Sequence, residues 1–139
     1  MKKHREVRIG ISGWHYPGWR GVFYPKGLPQ RRELEFASRA LNSIEINGSF
    51  YPLQRPESYQ RWRKETPKDF LFSVKGGRFI THMKKLRDCQ PKDAKLVSSK
   101  KATPQVRDVF VYFDNDAKVH APFDAKQRAR WLGITCEKH

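Results

Sequence analysis

Cysteine is scarce in this chain: Cys89 and Cys136 are the only two among 139 residues. A lone, widely separated pair makes neither a disulfide framework nor a metal-ligand spacing, so free thiols and a cytoplasmic setting are expected. Neither a metal nor a cofactor is expected. Long apolar runs are also missing. No stretch reaches the ~18 consecutive apolar residues of a membrane span, so no membrane partner is expected. The basic start, Met1-Lys2-Lys3-His4-Arg5-Glu6, lacks the apolar stretch of a secretory signal. Acidic residues are the third shortage, with 14 Asp and Glu against 29 Lys and Arg, a net charge of +15. Such an excess attracts polyanions over the Debye length, about 8 Å in physiological salt. Nucleic acid is the partner class that charge suggests. The basic residues are scattered, however, with no zinc finger, arginine-rich arm or RNA-binding signature. The charge therefore implies weak nucleic-acid binding or a solvated basic surface.

What is present suffices for one domain. Hydrophobic residues make up 37% and aromatics 13%, too much apolar content for a disordered chain. Val7 to Ile11 reads as a buried strand ending at Ser12-Gly13. Ser12 to Gln30 is rich in Gly, Pro and aromatics and reads as a long ordered loop, a type that usually carries function or its own small core. Arg32 to Leu41 places Leu34, Ala37, Ala40 and Leu41 at helical spacing. Ser43 to Asn47 alternates like a strand. Pro56 to Glu65 is a second helix, stopped at Thr66-Pro67. Phe70 to Lys75 is a third strand and Asp108 to Phe113 a fourth. Phe123 to Leu132 is a last helix with Ala125, Ala129 and Leu132 on one face, ended by Gly133. Cys89 to Gln105 has almost no apolar content and reads as a linker. Strands alternating with helices imply an α/β fold of parallel βαβ units.

Several motifs then point to a family. Ile9 to Pro25 (IGISGWHYPGWRGVFYP) and Glu45 to Tyr51 (EINGSFY) are followed in order by Pro56–Trp62, Thr66–Phe70, Lys75 and Ile80-Thr81-His82. At the other end stands Val111 to Ala125 (VYFDNDAKVHAPFDA). Together these resemble the YecE-like family, domain of unknown function 72, over about residues 7–88 and 106–133. The resemblance implies a TIM barrel, but a (β/α)₈ barrel takes about 250 residues. Four strands are legible here, and the last resembles the family's final strand. The resemblance thus implies an internally shortened, partial TIM barrel of about four parallel strands, order 4-1-2-3, with flanking helices. It would be one domain over 1–139, with residues 7–88 as its N-terminal part, 89–105 a junction, and 106–133 the last strand and helix. Such a sheet keeps two open edges, on which Phe70, Leu71, Phe72 and Val109, Phe110, Val111 are expected. A homodimer through those edges follows as an expectation.

Barrel sites lie at the C-terminal ends of the strands. Glu45, Asn47, Lys75 and Asn115 are expected to converge there, with Trp14, His15, Tyr16 and His82 on adjacent loops. Glu45, Lys75 and His82 are the candidates for chemistry: Glu45 as general base, Lys75 as its electrostatic partner or an anion clamp, His82 as acid or base. Trp14, His15, Tyr16, Asn47 and Asn115 are the candidates for holding a polar or phosphorylated ligand. A Glu45–Lys75 ion pair without chemistry is the competing reading. Trp14, Trp19, Phe23 and Tyr24 either stack a ring or pin the loop as a small core. Gly76-Gly77-Arg78 either cradles a phosphate or forms a hinge after the third strand. The activity stays unassigned. Three functions are open: a truncated barrel without catalysis of its own, a hydrolase- or isomerase-like enzyme rebuilt by half-barrel dimerisation, and a basic nucleic-acid-binding module.

Overall fold

The computed structural model describes residues 6–85, 108–114 and 118–134. Cys89, Cys136, the junction at 89–105 and Asn115 fall outside them. The described elements are β1 (Val7–Ser12), α1 (Glu33–Ala40), β2 (Ser43–Ile46), α2 (Pro56–Glu65), β3 (Leu71–Val74), β4 (Val109–Phe113) and α3 (Ala121–Trp131). Short helical turns stand at Pro17–Trp19, Gln30–Arg32, Gly48–Phe50 and Phe79–Met83.

The four strands form one sheet in the order β3-β2-β1-β4, and every neighbouring pair is parallel. This is the expected order read from the other edge. The first strand therefore lies between the second and the last, with Gly10 opposite both Ser43 and Tyr112. Among the described residues the sheet is open rather than closed into a barrel. Its outer strands are β3 and β4, and on them Leu71, Val74, Val109, Phe110 and Val111 are exposed. Phe70 departs from the edge expected of it. It precedes β3 and is buried, its ring 5.0 Å from that of Phe72.

Side-chain alternation divides the sheet into two unlike faces. One carries Ile9, Ile11, Ile44 and Ile46, all at most 2% exposed, in one cluster with Leu34, Ala37, Ala125 and Ala129 of the helices. The opposite face carries Gly10, Ser12, Ser43, Glu45, Ser73 and Tyr112, mostly polar. There Ser12 Oγ donates a short hydrogen bond to Glu45 Oε2, and the Ser43 and Tyr112 hydroxyls lie 2.6 Å apart. Ser73 Oγ is buried and has no hydrogen-bond partner among the described residues.

Local chemistry explains the helix ends. Glu33 and Glu35 lie in the first turn of α1 and Arg39 in its last, each favourable to the helix dipole. Pro56 opens α2 and Pro122 opens α3, where a missing N–H costs nothing. Gly133, at φ +67°, ends α3, with Ile134 N donating to the Ala129 carbonyl. Leu132, which helical spacing groups with Ala125 and Ala129, lies just past the end of α3 and is 54% exposed. The buried residues of α3 are Ala121, Pro122, Ala125 and Ala129. Among the described residues, no helix is long and apolar enough to cross a membrane.

Candidate functional site

The loop after β1 is built from its own aromatic side chains. Gly13 turns out of the strand at φ +74°, and its N–H donates to the Glu45 carbonyl across the strand ends. Tyr16 returns its hydroxyl to the Ser12 carbonyl at 2.5 Å, closing the turn. Trp14, Trp19, Phe23 and Tyr24 are all buried, and Trp19, Phe23 and Tyr24 pack ring against ring. The aromatics thus pin the loop as a small core. Tyr24 donates its hydroxyl to the Trp14 carbonyl at 2.6 Å, which fixes the backbone at Trp14. Burial, and next the Glu33 carboxylate, push the Tyr24 phenol well above its usual pKa.

Trp14 forms the wall between two clefts. One, of about 320 Å³, lies over the C-terminal ends of β1 and β2 and is lined by Trp14, His15, Tyr16, Asn47, Gln54 and Trp62, among others. The second, of about 350 Å³, lies between the start of α1 and the C-terminal half of α2 and includes Arg31, Arg61 and Glu65. Both share Trp14, His15 and Trp62. Trp62 meets Trp14 edge-on at 5.1 Å between ring centres, so the two indoles make a rigid partition.

The structure sorts the sequence-derived candidates into three places. Trp14, His15, Tyr16 and Asn47 meet at the first cleft. Glu45 does not line it; its carboxylate is on the polar sheet face, held by Ser12. Strand alternation set Glu45 and Asn47 on one face, but β2 ends at Ile46 and Asn47 turns helical at φ −81°, ψ −30°. The alternation stops one residue before it is needed. Lys75 makes no ion pair with Glu45. Its ammonium stands 5.1 Å from the centre of the Phe50 ring, and His82 packs edge-on against the same ring at 5.2 Å. His82 Nδ1 also lies 2.8 Å from Thr81 Oγ1. Gly77 acts through its carbonyl, which accepts from the N–H groups of Ile80 and Thr81 and from Thr81 Oγ1. Its carbonyl thereby holds the turn that follows β3. Asn115 lies outside the described residues.

Glu33 escaped the sequence reading. Its side chain is completely buried, and its two oxygens divide between His15 Nδ1 at 2.8 Å and Arg20 Nε at 2.7 Å. The available signal was its place four residues before Ala37, which puts a charge at the head of the apolar helical face. Among the described residues, no three His, Cys, Asp or Glu side chains gather as a metal site would need.

The family profile described as "Protein of unknown function DUF72" matches residues 8–102, more than half of the chain. The match runs through residues 89–102, which the sequence reads as a linker, and stops before β4. UPF0759 protein YecE of Escherichia coli (strain K12) is 35% identical over 83 residues, covering 60% of this chain and 28% of that protein. UPF0759 protein YunF of Bacillus subtilis (strain 168) is 32% identical over 75 residues, covering 54% of this chain and 26% of that protein. The chain therefore spans little more than a quarter of the length of the curated relatives it matches. No solved structure matches it. On the profile match, and on motifs that fall in β1, its long loop and the end of β2, the chain belongs to the DUF72 family, whose function is unknown.

Proposed function

We propose that this chain is a partial TIM barrel, cytoplasmic, that binds a small polar or phosphorylated ligand in the Trp14 cleft and carries no catalysis of its own. The carrying observation is the separation of the candidate groups. The cleft gathers aromatic walls, an imidazole and two amides, a composition suited to binding. The carboxylate and the ammonium that chemistry would need are elsewhere, one held by Ser12 and the other over Phe50. A reacting atom must sit about 3 Å from each participating group, and neither Glu45 nor Lys75 is among the residues lining the cleft. Barrel enzymes also draw catalytic residues from several strand ends, and this sheet supplies four strands. The partial-barrel reading is supported by β4 lying beside β1, as the last strand does when a barrel closes.

Tryptophan fluorescence with ribose 5-phosphate as probe tests the binding. A saturable change in the wild-type chain that is lost in Trp62→Ala supports it. No change at up to ~10 mM, the weak limit of a useful small-ligand site, refutes it.

A second reading, an enzyme rebuilt by two half-barrels, is favoured by one feature. Both open edges are apolar, and both strands run in the same direction. A two-fold axis along the strands would place β4 of one copy beside β3 of its partner, twice, giving eight parallel strands. Sedimentation equilibrium decides between the 16.4 kDa chain and twice that mass. A monomer with no tendency to associate removes this reading.

A further inference from the structure

We infer that the two clefts act as one site for a phosphorylated sugar, with the phosphate held by His15 and Arg31 and with Glu33 positioning the imidazole. The inference rests on the proposed binding cleft and adds a ligand class and an orientation to it. Its starting point is the cost of Glu33. A buried carboxylate gives up its hydration, and only paired charges and hydrogen bonds offset that loss. Arg20 alone supplies one full positive charge at 2.7 Å. The second partner, His15, is not needed for neutrality. What it gains is a fixed ring. A carboxylate can only accept, so His15 Nδ1 must carry the proton in the 2.8 Å contact. In the neutral ring this leaves Nε2 as the nitrogen available to a ligand, and in the protonated ring it leaves Nε2–H as a donor to an anion. The His15 side chain is 48% exposed and belongs to both clefts.

Each side of that imidazole offers a different chemistry. In the first cleft the Asn47 side chain makes no hydrogen bond among the described residues. Gln54 uses its amide nitrogen on the Gly48 and Pro52 carbonyls, which leaves its oxygen as an acceptor. Two amides beside the indole wall suit the hydroxyls and the apolar face of a sugar ring. In the second cleft Arg61 is partly offset by Glu65, 3.9 Å away. Arg31 has neither a hydrogen bond nor an ion pair among the described residues. An unpaired guanidinium beside a positioned imidazole is a natural partner for a phosphomonoester. The shared wall of Trp14 and Trp62 would lie along the ligand between these ends.

The test compares ribose, ribose 5-phosphate and inorganic phosphate by tryptophan fluorescence and calorimetry on the whole chain. Ribose 5-phosphate should bind at least tenfold more tightly than ribose, the ratio one charge-assisted contact gives. Arg31→Ala, at an exposed position, should erase that advantage. Inorganic phosphate should compete with ribose 5-phosphate but not with ribose. Imidazole ¹⁵N shifts report the positioning: His15 should hold its proton on Nδ1 when neutral, and Glu33→Gln should remove the preference. Equal affinity for ribose and its phosphate, or an unchanged advantage in Arg31→Ala, overturns the phosphate assignment and leaves the cleft reading intact. Failure of all three probes to bind overturns both.

Discussion

Gly10 stands at the centre of the sheet, and replacing it with alanine should be among the most damaging single-methyl changes available. The added Cβ would lie 1.9 Å from the Ser43 carbonyl oxygen and 2.7 Å from its carbon. Carbon and oxygen settle at about 3.3 Å or more. Relief by strand separation alone would require β1 and β2 to part by over ~1 Å, which takes hydrogen bonds of about 2.9 Å beyond their working range. Overpacking costs about 1–3 kcal/mol, and losing two ladder bonds adds about 1 kcal/mol each. Against this, alanine restricts the unfolded chain and returns about 0.4–1 kcal/mol. The net loss is about 3 kcal/mol, a large share of the ~5–15 kcal/mol that a domain possesses. With a urea m-value of about 2 kcal/mol/M, the unfolding midpoint should fall by about 1.5 M. Gly18→Ala is the control, since no heavy atom lies within 4 Å of its Cβ position and its φ is not positive. That change should leave the midpoint unchanged or slightly raised. Urea melts followed by circular dichroism check both. A Gly10→Ala midpoint within ~0.3 M of wild type, worth about 0.6 kcal/mol at that m-value, would show that the close approach to Ser43 does not constrain the strands as described.

Tyr24→Phe removes the hydroxyl that holds the Trp14 carbonyl and should cost about 1–2 kcal/mol, visible as a lower melting temperature; an unchanged melt refutes that role. Because burial raises the Tyr24 phenol above its unfolded value near 10, the native state keeps its proton where the unfolded state loses it. Stability should therefore be undiminished by this group below pH ~10 and fall as the pH climbs beyond it. An ultraviolet titration in which Tyr24 ionises near pH 10, the ordinary tyrosine value, contradicts this. Ser12→Ala and Glu45→Gln, combined in a double-mutant cycle, should show a coupling of about 1 kcal/mol or more, and strict additivity argues against the Ser12–Glu45 bond. Val74→Lys places a charge on the exposed β3 edge. If the half-barrels pair, it should shift sedimentation from dimer to monomer with little change in the melt, and a dimer that survives the substitution excludes this edge as the interface.

The legible part of this fold was what repeats locally. Alternation and apolar runs marked all four strands, and Pro56 with Thr66-Pro67 bounded α2 to the residue. Strand order came from the resemblance rather than from any periodicity, since nothing local in DVFVYF says it pairs with VRIGI. The departures also have local causes. Leu132 continues the helical spacing of Ala125 and Ala129, but Gly133 ends the helix before that spacing buries it. Phe70 belongs by composition to the edge strand and by position to the core just before it. Asn47 shows how a period fails at its last member. Four ligand candidates were legible because the loop motif and strand end place them near one another. Glu33 was not, because its importance lies in partners 13 and 18 residues away in a loop without periodicity.

The pairing of β1 with β4 sets an order of events in time. Val7 lies opposite Val109, so this ladder joins residues about a hundred positions apart. At a synthesis rate of about 5–20 residues per second, β1 waits roughly 5–20 s for its neighbour to be made. During that interval β2 and β3 can already be in place on one side, while the other flank of the central strand stays unsatisfied. Parallel pairing over such a separation is also intrinsically slow, because the chain must close a long loop before any contact rewards it. The nascent chain thus offers the backbone of β1 to any passing extended segment until synthesis reaches Phe113. Chaperone engagement on the ribosome should accordingly be strongest before that residue and weaken once β4 is available.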